Sequence, residues 1–197
     1  MARAAHGAEQ RVEAEEQAVG ALGAVTAATR HVALLTASIA TGGSLFFSEV
    51  LGWIPCQLCW IQRILMYPLV LILGVGIVRN DRGVHMYVLP LSLTGMCVSL
   101  YHYLQVLKVI PPGTCQGGVP CSVDYLTPIL TGPLSFIKIP FLALVAFTII
   151  SVMMGNYALA GAPATSARAL RTSRVAVAAI VGVTVVIFLG LAALVRA

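Results

Sequence analysis

GWIPCQLCWIQRILMYPLVLILGVGIV, residues 52–78, places two cysteines at the mouth of a long apolar run and an arginine just inside it. From Trp60 onward the run is long enough to cross a bilayer as a helix, which needs roughly 20 apolar residues. Pro55 suits the first turn of such a helix. Cys56, Cys59 and Arg63 then stand at i, i+3 and i+7, on one helix face. At i and i+3 the Cα atoms lie about 5–6 Å apart, within disulfide range. A helix N-terminus carries partial positive charge and unpaired N–H groups, both of which favour a thiolate, the nucleophilic form of cysteine. Arg63 adds a full positive charge one turn below Cys59. It reads either as a partner of that face or as a snorkelling cation.

The rest of the chain fits this reading. Of 197 residues, 59% are hydrophobic and 10% charged, against roughly 25% charged in an ordinary soluble domain. That composition makes lipid the solvent for much of the surface. Five segments are long and apolar enough to span: about 31–49, 60–78, 84–107, 134–157 and 175–195. Strand alternation is absent, so the expected fold is an all-α polytopic membrane bundle. Pro90 and Pro140 are expected near the starts of their spans, where a missing N–H costs least. The net charge of +5 carries no aromatic-interleaved basic patch and no phosphate-binding glycine loop, so nucleic acid is not an expected partner. No carboxylate falls in mid-span, which argues against a proton-coupled transporter.

Charge sets the expected orientation. With the N-terminus cytoplasmic, Arg3, Arg11, Arg30, Arg79, Arg82, Arg168, Arg171 and Arg174 lie inside, and Lys108, Lys138 and Arg196 outside. The 50–59 and 108–133 loops then share the outer face. These loops carry the four paired cysteines: Cys56 with Cys59, and Cys115 with Cys121. An oxidising compartment is where disulfides persist. The second loop, KVIPPGTCQGGVPCSVDYLTP, is rich in Pro and Gly and reads as irregular and accessible. A disulfide there is either a loop staple or an exchange site, since exchange requires access to sulfur. A zinc site built from both pairs is a further reading, although the five-residue gap between Cys115 and Cys121 matches zinc knuckles poorly. Cys97, in mid-span, reads as an inert packed residue.

The combination resembles the DsbB family of membrane thiol oxidases, including its short-loop, BdbC-like branch. The resemblance rests on CQLCWIQR at a span entrance, then an apolar span, a loop cysteine pair, and IPFLALVAF opening the next span. His102, thirteen residues before Cys115, with Gln105 between, belongs to the same pattern. The resemblance covers residues 31–157. The vitamin-K-epoxide-reductase-like proteins carry their loop cysteines before the Cys-x-x-Cys, the reverse order.

The resemblance implies a multi-pass protein of the cytoplasmic (inner) membrane with its redox cysteines extracytoplasmic. It implies reoxidation of a soluble thioredoxin-fold, DsbA-like dithiol oxidase and transfer of two electrons to a quinone, ubiquinone or menaquinone, from the membrane pool. Cys115 is then the residue that forms the mixed disulfide with the partner, Cys121 exchanges with Cys56, and Cys59 faces the quinone beside Arg63. His102 is implied as a quinone-site residue, and on its own reads equally as an interfacial histidine. The alternative is a zinc-binding or disulfide-stapled structural membrane protein. The expected organisation is a cytoplasmic N-terminal extension (1–29), a four-helix redox core (30–157), a cytoplasmic linker (158–174) and a fifth transmembrane helix (175–197). That helix and the extension depart from the family's four-span core.

Overall fold

A computed structural model of the chain describes Thr26 and residues 28–111, 119–126, 132–161 and 166–196. Among these, five helices are long and apolar enough to cross a membrane: α1 (Ala28–Val50), α2 (Gln57–Val78), α3 (Val84–Val106), α4 (Ile139–Ala160) and α5 (Ala167–Arg196). The described residues contain no strand, and the fold is an all-α polytopic bundle.

The connections explain why the helices stop where they do. After α2 the chain enters the left-handed region at Asn80 (φ 52°). Asn80 N–H donates to Ile77 O at 3.1 Å and Asp81 N–H to Gly76 O at 2.8 Å, which satisfies carbonyls that would otherwise end in apolar surroundings. Lys108 (φ 59°) closes α3 in the same way, with Val109 N–H donating to Leu104 O at 3.0 Å.

The core lies between α2, α3 and α4, with α1 covering one side: Leu69, Leu73, Val88, Phe147, Ile150 and Met154 are all fully buried. Two glycines permit the close approaches. A Cβ on Gly95 would stand 2.3 Å from the Phe147 ring, and one on Gly76 would stand 2.5 Å from Val84. Across the α3–α4 seam, Ser151 Oγ bonds Ser92 Oγ at 2.9 Å. The fifth helix packs on α1 and α2 and is held at both ends. Arg174 Nε donates to Val78 O at 3.2 Å, and Arg196 Nη2 to Glu49 O at 3.2 Å.

Two helix starts and one proline position differ most from expectation. The fourth span starts at Ile139 rather than 134, because a short 3-10 turn (Gly132–Leu134) precedes it and Lys138 is extended at its N-cap. The fifth starts at Ala167 rather than 175, so the basic stretch 167–174 is helical, in keeping with its Ala and Arg content. Pro90 lies inside α3, as Pro68 does inside α2, rather than in a first turn; Pro140 does fall in one.

Candidate functional site

Cys56 is the N-cap of α2, not a residue of its first turn, and Pro55 stands just before it. Its extended backbone (φ −71°, ψ 174°) turns the side chain back over the helix end, where Sγ accepts from Cys59 N–H at 3.4 Å. The Cys59 side chain lies on the same side, and the two Sγ atoms are 3.2 Å apart, within hydrogen-bond range for sulfur. Cys56 lies just outside the spanning segment, and its pKa is lowered from 9.0 to about 4. The largest cause is the hydrogen bond from the Cys59 thiol; burial opposes it, and hydrogen bonds from His102 and the Cys59 amide add to it.

His102, near the end of α3, is buried between the two sulfur-bearing segments. Its Nε2 lies 3.6 Å from Cys56 Sγ and 3.0 Å from Cys121 O. Gln62 Nε2 approaches His102 Nδ1 at 3.3 Å. With the amide donating there, the ring carries its proton on Nε2, facing Cys56 and Cys121. Cys121 is buried and engaged in a disulfide, whereas Cys56 and Cys59 are free thiols. Cys115 lies outside the described residues.

The loop after Cys121 is docked on the segment before Cys56. Tyr125 OH donates to Ile54 O at 3.1 Å, and the Tyr125 ring stacks on Trp53 at 5.3 Å, which in turn stacks on Phe47 at 5.1 Å. Lys138, before α4, pairs with Asp124. The α1 end fits this arrangement because its last turn, Phe46–Val50, is π-helical, and Gly52 (φ 68°) then reverses the chain towards Cys56. The 50–59 segment and the Cys121 loop therefore meet at one end of the bundle.

Beside the thiols opens an apolar cavity of about 580 Å³. Cys56, Cys59, Arg63, Tyr67 and His102 line it, with Phe47, Trp53 and Phe147 among its walls. Arg63 Nη2 donates to Ser44 O at 3.0 Å, and its guanidinium rests on the Trp60 ring at 5.2 Å. These contacts hold the charge at the cavity wall, one turn below Cys59, with an α1 carbonyl as its partner.

Five of the six sequence-predicted site residues, Cys56, Cys59, Arg63, His102 and Cys121, thus fall at one end of the fold. Cys97 does not join them: it lies on the exposed outer face of α3 rather than in the core. Gln62 was missed. Its signal was present, a polar residue three positions after Cys59 on an otherwise apolar helix, and it is almost fully buried. Ser44 gave no signal; its carbonyl accepts from Arg63 and its hydroxyl from Tyr67 OH at 3.3 Å.

A helical bundle with a free thiol pair at a helix entrance, a disulfide one imidazole away and an apolar cavity alongside defines a class: membrane-embedded thiol–disulfide proteins. The sequence model of "Disulfide bond formation protein DsbB" matches residues 26–195. The chain belongs to the DsbB family and is a multi-pass membrane oxidoreductase of disulfide bond formation. It is 48% identical over 129 residues to "Disulfide bond formation protein C" of Bacillus subtilis (strain 168), covering 63% of this chain and 88% of that protein. It is 48% identical over 120 residues to "Probable disulfide formation protein C" of Halalkalibacterium halodurans, covering 60% and 84%. A further relative, "Probable disulfide formation protein C 2" of Bacillus cereus (strain ATCC 10987 / NRS 248), is 42% identical over 127 residues, covering 63% and 88%. No solved structure matches.

Proposed function

We propose that the protein is a thiol:quinone oxidoreductase that reoxidises a soluble, extracytoplasmic, DsbA-like dithiol oxidase. The observation that carries this reading is the Cys56–Cys59 pair, with sulfurs 3.2 Å apart, at the wall of a cavity it shares with Arg63.

The exchange steps balance as disulfide transfers. A partner dithiol reduces the Cys115–Cys121 disulfide and leaves as a disulfide. The resulting loop dithiol reduces an oxidised Cys56–Cys59 pair through Cys121 and Cys56, and two electrons then reside on Cys56 and Cys59. Cys56 is held ready as a thiolate by Cys59 and His102, whose Nε2–H faces both Cys56 and the Cys121 carbonyl. Cys59 and Arg63 face the cavity, where the cation favours an electron-rich group.

The residues fit a quinone. The cavity is of small-molecule size, its walls are largely apolar and aromatic, and its polar groups converge near Cys59. Cys59, Arg63 and Tyr67 would hold the ring, with His102 at the Cys56 side. When bound, a ubiquinone or menaquinone supplies a two-electron, two-proton acceptor. We assign this core to residues 30–157, in the cytoplasmic membrane, with the cysteine end outside.

One observation favours a rival reading. The donor atoms of Cys56, Cys59 and His102 lie within 4.8 Å of one another, as a soft-metal site requires. Against it, the Gln62 amide leaves the protonated nitrogen of His102 facing the sulfurs, and a metal needs a lone pair there. Metal analysis of the purified protein separates the two: one zinc per chain with no redox cycling supports the metal site.

The decisive test of the proposal is anaerobic stopped-flow of purified protein with quinone and a reduced thioredoxin-fold partner, following quinone absorbance. Quinone reduction is expected in the wild type and lost in Cys59→Ser. Normal quinone reduction by Cys59→Ser overturns the assignment.

A further inference from the structure

Gln62 is the polar member of the buried face of α2, which continues as Met66, Leu69, Leu73 and Ile77. It is only 6% exposed. A methionine or leucine would fill that place without the cost of burying an amide, which is recovered only through hydrogen bonds. The amide nitrogen of Gln62 meets His102 Nδ1 on α3, at 3.3 Å. His102 is itself only 2% exposed, so bulk water is not at hand to replace either partner.

Two neighbours fix the imidazole from opposite sides. A carbonyl oxygen accepts and never donates, and Cys121 O stands 3.0 Å from Nε2. Nε2 therefore carries a proton. In the neutral ring Nδ1 is then a lone pair, and the Gln62 amide is the donor that meets it. The same Nε2 lies 3.6 Å from Cys56 Sγ. One N–H thus faces both the backbone of the Cys121 loop and the sulfur at the α2 entrance. The opposite tautomer would set a lone pair against the Cys121 carbonyl and an N–H against the Gln62 donor, two buried clashes of like groups. Arg63, the next residue on α2, turns instead to Ser44 O on α1. Adjacent residues of α2 therefore serve different sides of the thiol pair.

We infer that Gln62 is a positioning residue for transfer between the two cysteine pairs: by donating to Nδ1 it holds His102 as an Nε2–H donor that seats the Cys121 loop against Cys56. This inference rests on the relay from Cys115–Cys121 to Cys56–Cys59 and is independent of the quinone. In that relay the Cys121 thiolate attacks Cys56 Sγ, the Cys56–Cys59 bond breaks, and Cys59 leaves as a thiolate. The Cys115 thiolate then attacks Cys121, which re-forms the loop disulfide and releases Cys56 as a thiolate. Two electrons have moved from the loop pair to Cys56 and Cys59. The His102 N–H serves both ends of this exchange. It holds the carbonyl of the attacking residue, and it faces the sulfur on which negative charge appears at release.

The test times the transfer and watches the ring. Fully oxidised protein is mixed with reduced thioredoxin, quenched by alkylation at millisecond intervals, and mapped by mass for each cysteine pair. Gln62→Met keeps the reach of the side chain and removes the donor. It is expected to slow passage of electrons from the loop pair to Cys56–Cys59 by about tenfold, without slowing reduction of the loop pair by thioredoxin. Histidine nitrogen NMR reads the ring directly, with the His102 signal assigned by its absence in His102→Asn. The wild type is expected to show a protonated Nε2 and a bare Nδ1. Gln62→Glu, the same shape with an acceptor in place of the donor, is expected to put a proton on Nδ1. Across these proteins the transfer rate is expected to follow the share of His102 that keeps its Nε2 proton; a residue that only fills space leaves the ring's protons where they are. If no variant folds, the wild-type spectrum still decides, since a bare Nε2 overturns the inference. An unchanged transfer rate in Gln62→Met, or a rate that ignores the Nε2 proton, overturns the role of Gln62 alone. Wild-type protein in which electrons never pass from the loop pair to Cys56–Cys59 overturns the relay beneath it.

Discussion

Replacing Cys59 tests how the site makes its thiolate. Cys56 has a pKa of about 4 against an ordinary 9.0, and the first cause is the hydrogen bond from the Cys59 thiol, across 3.2 Å. Cys59→Ala removes that donor and keeps the Cys59 amide and His102. Cys59→Ser keeps an O–H in its place. Reactivity at a single pH is a poor readout. A thiol at its ordinary value is only about 1% ionised at pH 7, roughly a hundredfold less than Cys56. Thiolate nucleophilicity, however, falls with pKa with a slope of about 0.4–0.5, which offsets about 100- to 300-fold over the same interval. The two effects nearly cancel, so the midpoint must be measured. The assay is alkylation of reduced protein across pH 3–10, with mass mapping of the Cys56 peptide. The wild-type midpoint is expected near pH 4. Cys59→Ala is expected to raise it by at least about two pH units, and Cys59→Ser by much less. Coincident midpoints in the two variants, or a wild-type midpoint in the ordinary thiol range, refute the reasoning. The sign carries into redox behaviour. A depressed thiolate pKa stabilises the reduced pair and makes the Cys56–Cys59 disulfide a stronger oxidant. This contribution is full above the ordinary pKa of 9.0, and it is lost as pH falls to about 4.

Three further outcomes are expected. Arg63→Ala removes the charge docked on Ser44 O and is expected to raise the quinone KM by about tenfold, with partner dithiol exchange changed less than about twofold; equal loss of both contradicts its role. Tyr125→Ala removes the bond to Ile54 O and the stack on Trp53, about 1–2 kcal/mol of loop docking. It is expected to slow electron transfer from the loop to Cys56–Cys59 and to leave quinone reduction by pre-reduced protein intact, as rapid-quench trapping of the two pairs shows. Gly95→Ala places a methyl 2.3 Å from the Phe147 ring and is expected to cost about 1–3 kcal/mol, read as a lower Tm in detergent; an unchanged Tm contradicts the packing.

The spans were legible because lipid imposes length and apolarity together, and both are written in consecutive residues. The thiol face was legible for a related reason: helix period fixes which residues share a side, so Cys56, Cys59 and Arg63 were grouped by spacing alone. Contacts between distant segments were less accessible. His102 was read equally as an interfacial residue because nothing near it reveals that α3 carries it to Cys56. Gln62 was overlooked because its role is to orient a ring forty positions away. The start of α5 is masked in the sequence because its first turns are Arg-rich and read as connector, although arginine is a good helix former.

At the end of the bundle away from the cysteines, α1 buries Arg30, only 2% exposed, against the Tyr157 ring at 5.0 Å, with Asn80 Oδ1 accepting from it at 3.4 Å. A guanidinium fixed there acts as a plumb line. Sliding the bundle towards the cysteine side would carry that cation deeper into the bilayer, at a cost of about 3 kcal/mol even by lenient scales. Twenty residues of α1 separate Arg30 from Val50, about 30 Å of helix, which equals the hydrocarbon thickness. The altitude of the sulfurs above the lipid is thus set from the opposite shore of the membrane.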